Sequence, residues 1–577
     1  MADYGTQGPA YTPTAHEEEE VAESLREFSA MQWDKSTLAA HCEEVAELIL
    51  PDQSNTFYPN NQIVQGAKKT DKQIDSNGAM ALTRFAAICD SLLTPRNSTW
   101  HGLESPDPYV MKDRASRLWF EQVTRLLFQY RYAAIANFAS QNQANFTSLG
   151  AFGNMTMFID AFSGPQKGIR YKAIPFGETY YHENHQGIVD GFCRYFRMTA
   201  RQIRQQWPDT FPAELQSALE KNSEQKFDIL HRICPRSDYE EDRLDLKGKP
   251  YASYYVSLTG RRLLSEGGYS SFPMAVGRYT QSPNETYGRG PAMLVLPALK
   301  TLNAEKRVFL KAGHRAGDPV LLTADDGVVD FNMTPGWLNK GGMTSDGKPL
   351  IGTLPVGNIQ ITKEMMEDEK GLILDAFLVS LFQILLETPQ MTATEVIERT
   401  NEKGILLAPT VGRQQSEYIG TMVPRELDVL AEQRLLPPMP PRLREAAGEY
   451  HVEHTSPLSR AMRAQEASGF IRSVEVTKEI VNITQDPSFL DVYDFDTATP
   501  AIAQIFGSPE SWMADQGKID AKRKLRAQQL ARQQQIQAAP AAAALMKAQA
   551  AQQKAGGGGG GIPQAPAPQP TPGTFSQ

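Results

Sequence analysis

The chain has 577 residues, a mass of 64.0 kDa, and 58 basic against 67 acidic side chains, for a net charge of −9. At about 150 residues per domain this is roughly four domains' worth of polypeptide. The acidic balance excludes a protein coated in cations for indiscriminate nucleic-acid binding, so any contact with DNA has to come from local basic patches.

With 41% hydrophobic and 22% charged residues, most of the chain is expected to fold. Cys42, Cys89, Cys193 and Cys234 are too widely spaced for a disulfide framework or a zinc-type Cys-x-x-Cys pair, and point to a reducing compartment. Residues 1–20 are small and polar and end in Glu17 to Glu20; they read as a disordered tail without the basic and apolar regions of a signal peptide. The longest apolar candidate, Gly371 to Leu386, falls short of the ~20 residues of a membrane span and contains Asp375 and Gln383. A soluble protein is expected, working in cytoplasm or in something assembled there, with no membrane partner.

From Val21 the pattern is helical. Trp33-Asp34-Lys35-Ser36 offers a cap before Leu38, Val45, Leu48 and Ile49, and Pro51 stops the helix. A second helix carries Met80, Leu82, Phe85, Ile88 and Leu92, and a third runs from about Lys112 through Trp119 and Leu127 to Tyr130, with a possible extension to Phe138. After Gly150 the periodicity changes. Short strand-like runs cover 155–159, 169–174, 179–182 and 187–196, then 227–234 and 251–258, with Thr259-Gly260 as a hairpin turn and, between them, a short helix opened by Arg197-Met198-Thr199-Ala200 and running to Trp207-Pro208. The fold class predicted is α+β, mainly helical.

Tyr287-Gly288-Arg289-Gly290-Pro291 leads into a helix reaching about Ala312, in which Pro297 either introduces a kink or marks the true first turn. A Gly/Pro/Asp-rich stretch follows, Gly317 to Gly357, then a helix from about Thr362 to Glu387. Thr388-Pro389-Gln390 interrupts it, and Met391-Thr392-Ala393-Thr394-Glu395 restarts a helix with Thr392 and Glu395 at capping-box spacing, which Pro409 bends or divides. Beyond the proline-rich 436–441, a helix spans about 459–483. Residues 518–555 form an alanine- and glutamine-rich helix with too few large apolar residues to bury much surface alone, so it projects into solvent or packs on copies of itself. Gly556 to Gly561 and a Pro/Gln tail end the chain in disorder.

No catalytic constellation emerges. There is no G-x-x-x-x-G-K-[ST] phosphate loop and no G-x-S-x-G elbow. His182-Glu183-Asn184-His185 has the wrong spacing for a zinc helix, and His451 with His454 is discounted likewise. Asp325-Asp326-Gly327 reads as a turn, lacking the D-x-D-x-D-G calcium pattern. Asp491, Asp494 and Asp496 could chelate magnesium in a metal-dependent hydrolase, but a solvated acidic loop is the simpler reading. No metal and no cofactor is expected.

A different signal lies between Pro297 and Gly317. Lys300, Asn303, Arg307, Lys311 and His314 recur at steps of three and four, on one helical stripe, with Leu302, Phe309 and Leu310 opposite; Lys306 and Arg315 add to the charge, and Glu305 alone opposes it. In isolation such a run is a solvated face. The order of the elements around it changes that weighting. The Tyr-Gly-Arg-Gly start of a long helix, a compact Gly/Pro loop region, a returning apolar helix, a short break and a Met-Thr-Ala-Thr-Glu-Val restart resemble the head-to-tail connector, or portal, protein of short-tailed bacteriophages, over roughly residues 30–485.

The resemblance implies a dodecameric ring around a DNA channel at one capsid vertex. Its regions here would be a wing (21–290), a stem of two helices (291–316 and 359–387), a clip (317–358), a tunnel loop (388–391, Thr388, Pro389, Gln390 and Met391), a further wing helix (392–440), a crown (441–517) and a C-terminal barrel (518–555). Lys300, Arg307, Lys311, His314, Arg315 and Lys363 would face DNA without reading its sequence. Trp337, Lys340 and Lys348 in the clip would meet the packaging motor (terminase) and later the head-tail adaptor and tail proteins; major capsid and scaffolding proteins are the remaining implied partners. The implied place of action is the virion, after assembly in the host cytoplasm. A virion protein of non-ring symmetry is the other structural alternative.

Overall fold

The computed structural model describes residues 14–555 apart from 59–63, 65, 97, 163, 242, 324–331, 333, 356–358, 381–408, 447, 455–456 and 506–511. The chain divides into two units, 1–507 and 508–577.

The first helix, α1 (Ala15–Ile49), begins six residues before the expected Val21, so residues 15–20 are not a tail. The reason is local. Thr14 and Glu17 close a reciprocal capping box, and Glu17 and Glu18 sit where the helix dipole favours negative charge. The acidic run also has a tertiary partner: Arg232, buried, is gripped by Glu20, Glu23 and Glu27 at 3.2, 3.1 and 2.6 Å. Nor does Trp33–Ser36 start a new helix. Lys35 is buried mid-helix, its Nζ donating to the carbonyls of Phe176 (2.5 Å) and Thr179 (2.6 Å).

Next come α2 (Asn77–Leu93), strand β1 (His101–Glu104), α3 (Pro108–Lys112) and α4 (Arg114–Arg131). Then α5 (Phe138–Phe152), which the sequence reading passes over, leads into β2 (Asn154–Ala161). Strand β3 (Ile169–Ala173), β4 (Thr179–Glu183) and β5 (Val189–Thr199) follow, then α6 (Ala200–Gln206) and α7 (Gln216–Lys221). Strands β6 (Lys226–Pro235), β7 (Tyr251–Ser257) and β8 (Arg262–Tyr269) complete a five-stranded antiparallel meander in the order β4-β5-β6-β7-β8. Its faces alternate along each strand. Leu230 and Leu263 pack under Val21, Phe28 and Met31 of α1, while Ile229 and Leu264 pack with Ile203 and Trp207 on the opposite face.

Strand β9 (Met274–Arg278) joins β2 and β3 in a three-stranded sheet, β3-β2-β9. After the small pair β10 (Thr280–Gln281) and β11 (Gly288–Arg289) come α8 (Pro291–Leu294) and α9 (Leu296–Gly317). Pro297 occupies the first turn of α9 and does not kink it. Strands β12 (Leu321–Thr323) and β13 (Ile351–Thr353) pair antiparallel, and α10 (Ile359–Ala376) returns against α9. The helix is broken at Phe377-Leu378, where Leu378 enters the left-handed region at φ 61° and the Ser380 hydroxyl bonds the Asp375 carboxylate across the turn; residues 379–380 are helical again, and the stretch from 381 to the expected end at Glu387 lies outside the described residues.

A helical stretch resumes at 409 and passes through a π-turn, Gln415–Ile419, into α11 (Gly420–Glu432), which contains Pro424. Helix α11 is buried against β2 and β9. After α12 (Pro441–Glu445), strand β14 (His451–His454) pairs with β1. This puts the first part of the stretch assigned to a crown in one sheet with residues 101–104. Helices α13 (Pro457–Thr484) and α14 (Phe495–Ile505) end the first unit, and α15 (Gln516–Ala555) makes up most of the described part of the second.

Candidate assembly surface and DNA channel

The Tyr-Gly-Arg-Gly turn turns out to be a packing device. Asn154, fully buried at the start of β2, donates through Nδ2 to the carbonyls of Phe152 (2.7 Å) and Gly288 (2.9 Å). Its Oδ1 accepts from Gly288 N (2.7 Å) and the Tyr181 hydroxyl (2.6 Å). Gly153, at φ +70°, ends α5; a Cβ there would lie 2.3 Å from the Arg289 carbonyl carbon and Gly290 N. Gly288 and Gly290 are equally confined, by Gly153 O at 2.5 Å and Gly153 N at 2.6 Å. Two backbones therefore cross at a distance only glycine permits. Tyr287 is buried beside Tyr181, whereas Arg289 is exposed and pairs with Glu285. The junction fixes the direction in which α8 and α9 leave the core.

From that junction the α9–α10 hairpin runs through a gradient of burial. At its base Leu299 and Leu302 of α9, with Met366, Ile373 and Phe377 of the returning segment, are buried with α1 and α2. Farther along, Val308, Leu310 and Ile361 are exposed, and so are Met365 and Leu372 beside the buried Met366 and Ile373, Val308 and Leu372 each at 58%. Leu310, expected on the apolar side with Leu302 and Phe309, is thus in solvent. Between the helices, Glu305 faces Glu369, and burial together with that neighbouring carboxylate raises the Glu305 pKa.

The basic stripe divides in two. Lys300 pairs with Glu44 of α1, Asn303 Oδ1 accepts from the backbone N–H of Ile74 (3.0 Å) and Asp75 (2.9 Å), and Lys306 lies 3.9 Å from Asp75. These residues fasten α9 to the N-terminal region. Arg307, Lys311, His314 and Arg315 are exposed and have no ion pair among the described residues. Lys363 on α10 is 3.7 Å from Glu367, one turn along.

Between 317 and 358 the described residues are nearly all solvent-facing. Trp337 is 62% exposed, Lys340 and Lys348 are exposed, and the Lys348 backbone closes a tight turn with Thr344. Leu321, Leu322, Leu338, Met343 and Leu350 are exposed there too. Thr388, Pro389, Gln390 and Met391, and the helix restart after them, lie outside the described residues, as does Asp325-Asp326-Gly327.

The acidic group considered for metal binding has a structural use. Asp494 accepts from the backbone N–H of Asp496 (3.0 Å) and Thr497 (3.2 Å) and caps α14. Among the described residues no group of three or more His, Cys, Asp or Glu side chains is arranged to hold a metal ion. His182 contacts Asp190 at 3.4 Å, and His454 lies in β14 opposite His101.

Residues 22–513 match the model of a family described as bacteriophage head to tail connecting protein. The chain belongs to that family. Among relatives of the connector, a probable portal protein of Bordetella phage BPP-1 is 26% identical over 532 residues, covering 89% of this chain and 92% of the relative. The portal protein of Salmonella phage epsilon15 is 25% identical over 523 residues with the same coverage. Two solved structures resemble the connector at a TM-score near one third: a chain of the virion of a native gene transfer agent particle (0.33, 11% identical, 69% of this chain and 85% of that one) and one of such a particle's neck computed with C12 symmetry (0.32, 12% identical, 68% and 85%). Nothing in composition betrays the Asn154–Gly288 crossing. Its one sequence trace is Gly153-Asn154 directly after a helix, the usual C-terminal cap position.

Proposed function

We propose that the chain is the subunit of a portal: a closed ring, with twelve copies as the favoured number, that forms the DNA channel at one capsid vertex and serves packaging and later ejection. The observation that carries the ring is the unpartnered apolar surface of the hairpin and clip. Among the described residues, thirteen large apolar side chains between Val308 and Leu372 are exposed in the single subunit. At about 1.5–3 kcal/mol for each such side chain fully buried, covering even half of this surface is worth on the order of 10 kcal/mol or more. Identical neighbours are the economical cover, and a head-to-tail ring leaves no sticky edge.

In this arrangement α9 and α10 are the stem, 317–358 the clip, 388–391 the tunnel loop, 21–290 with 392–440 the wing, and the remainder crown and barrel. Arg307, Lys311, His314 and Arg315 are free to meet phosphate, Lys363 is loosely committed, and Lys300 serves the wing contact more than the lumen. Trp337, Lys340 and Lys348 offer the clip surface for the motor and then for the adaptor and tail proteins. The chain acts as a structural conduit in the virion, with ATP hydrolysis supplied by the motor; capsid and scaffolding proteins surround it. No described helix is long and apolar enough to cross a membrane.

Native mass spectrometry and negative-stain imaging of the purified chain test this. A closed ring with a central hole is expected. A monodisperse monomer at micromolar concentration overturns it.

A further inference from the structure

Helix α15 is 40 residues long, and its basic half carries a charge pattern that assembly does not require. Between Gln516 and Gln533 there are six basic residues and a single acid, Asp520, a local charge of +5 in a chain of −9. At 3.6 residues per turn, Lys518, Lys522, Arg526 and Arg532 fall within an arc of about 120° and extend over about 21 Å. All four are exposed and have no ion pair among the described residues.

Two simpler roles fit poorly. A helix kept soluble by charge intersperses acids at i,i+4 to its bases, whereas Lys518, Lys522 and Arg526 place like charges at that spacing, each pair costing about 0.2–0.5 kcal/mol. A helix packing on copies of itself needs an apolar seam. Here Leu525 and Leu530, both exposed, lie on different sides of the helix, and a cationic arc repels its own copy, so packing in the barrel can use other faces of α15 but does not account for the arc. A surface of this kind is satisfied by a polyanion of regular charge. Over about 21 Å, duplex DNA carries roughly a dozen phosphates.

We infer that the basic half of α15 is a second binding site for duplex DNA, separate from the stem, which grips the phosphate backbone without reading sequence through Lys518, Lys522, Arg526 and Arg532. The ligand is the one that the proposed function supplies; the site rests on α15 alone. Because each neutralised phosphate contributes about 0.9 to the logarithmic salt slope, four lost contacts lower the slope by about 3.6. Between about 50 and 200 mM salt this makes the affinity loss of the unaltered protein about 150-fold larger than that of the variant.

The experiment is a salt titration of a fluorescent duplex against full-length protein by anisotropy. The unaltered chain is compared with K518Q/K522Q/R526Q/R532Q and with the stem set R307Q/K311Q/R315Q. The inference predicts that the α15 set weakens binding and flattens the slope in the stem variant's background as in the unaltered one. An unchanged slope overturns it. Equal loss of binding to vesicles containing anionic phospholipid also overturns it, since the arc would then be a generic anion surface. Native mass on the same samples reports ring formation separately, so failure of this site and failure of the portal reading are told apart.

Discussion

Replacing Asn154 with alanine should loosen the junction from which the α9–α10 hairpin leaves the core. The side chain is fully buried and makes four hydrogen bonds, to Phe152 O, Gly288 O, Gly288 N and the Tyr181 hydroxyl. Each is worth about 0.5–1.5 kcal/mol net, and each partner left stranded costs about 1–3 kcal/mol. A water entering the vacated space can satisfy two or three of the four groups. The expected loss is therefore about 3–5 kcal/mol, at the upper end of single-residue effects. Gly153→Ala should cost a similar amount, because a Cβ 2.3 Å from the Arg289 carbonyl carbon forces the two backbones apart at a site that also demands φ +70°. Arg289→Ala is the contrast. It removes a conspicuous residue of the motif but only an exposed pair with Glu285, and should cost less than about 1 kcal/mol. Urea denaturation followed by circular dichroism measures all three, with native mass reporting ring assembly. If Asn154→Ala and Arg289→Ala shift the midpoint equally, the account of the turn as a backbone crossing locked by Asn154 is wrong.

Burial lowers the Lys35 pKa to about 7, so between pH 7 and the ordinary lysine range the unfolded chain holds a proton that the folded one has released; stability should rise with pH across that window by up to about 1.4 kcal/mol per unit, a slope that Lys35→Met removes in paired urea titrations. His231, stacked on Tyr255 at 3.9 Å, is pushed to about 3 by burial and by Arg194; stability is present above the ordinary histidine value and lost as pH falls from there toward 3, and His231→Phe should flatten this acid limb. Glu305→Gln, which removes one carboxylate of the pair facing across α9 and α10, should raise the melting temperature at neutral pH and leave it little changed near pH 4, where the raised pKa already protonates the group. Val308→Glu with Met365→Glu, both on exposed positions of the hairpin, should leave the monomer's circular dichroism intact while sedimentation shows loss of the ring; rings of unchanged mass would remove the stem from the interface.

The long helices and the strand runs between 155 and 258 were legible because their periodicity is set by burial, which acts all along the chain. What escaped was decided by partners distant in sequence. Helix α5 is rich in Asn, Gln and Ser and offers no clear apolar stripe, yet Asn142 donates to Asp90 and Thr94 and accepts from the Tyr418 hydroxyl, so polar residues of this helix lie in the core. The Glu17–Glu20 run reads as disorder until Arg232, more than 200 residues away, is seen to hold it. Within the candidate channel, the spacing of Lys300 and Asn303 placed them with Arg307 and Lys311, but helix phase alone could not show that the first two face Glu44 and the 74–75 backbone. The break after Ala376 follows from a left-handed leucine, Leu378, which no residue-type preference foretells.

These particulars bear on how a ring could form from subunits that must first exist alone. The base of the hairpin shares its core with α1 and α2, and the Asn154 crossing sets its exit angle, so a single folded subunit already presents α9 and α10 in one orientation. Preorganisation matters because ordering a hairpin during association would cost about 1–2 kcal/mol per residue in backbone entropy alone, more than the exposed apolar side chains can return. A hairpin held at its root loses little on docking. Its far half, unable to bury Val308, Leu310 or Ile361 against its own chain, gains only from a neighbour presented at the same angle. Twelve-fold or not, closure then depends on that angle being constant from copy to copy, and a buried asparagine with four fixed partners holds it more firmly than any exposed loop.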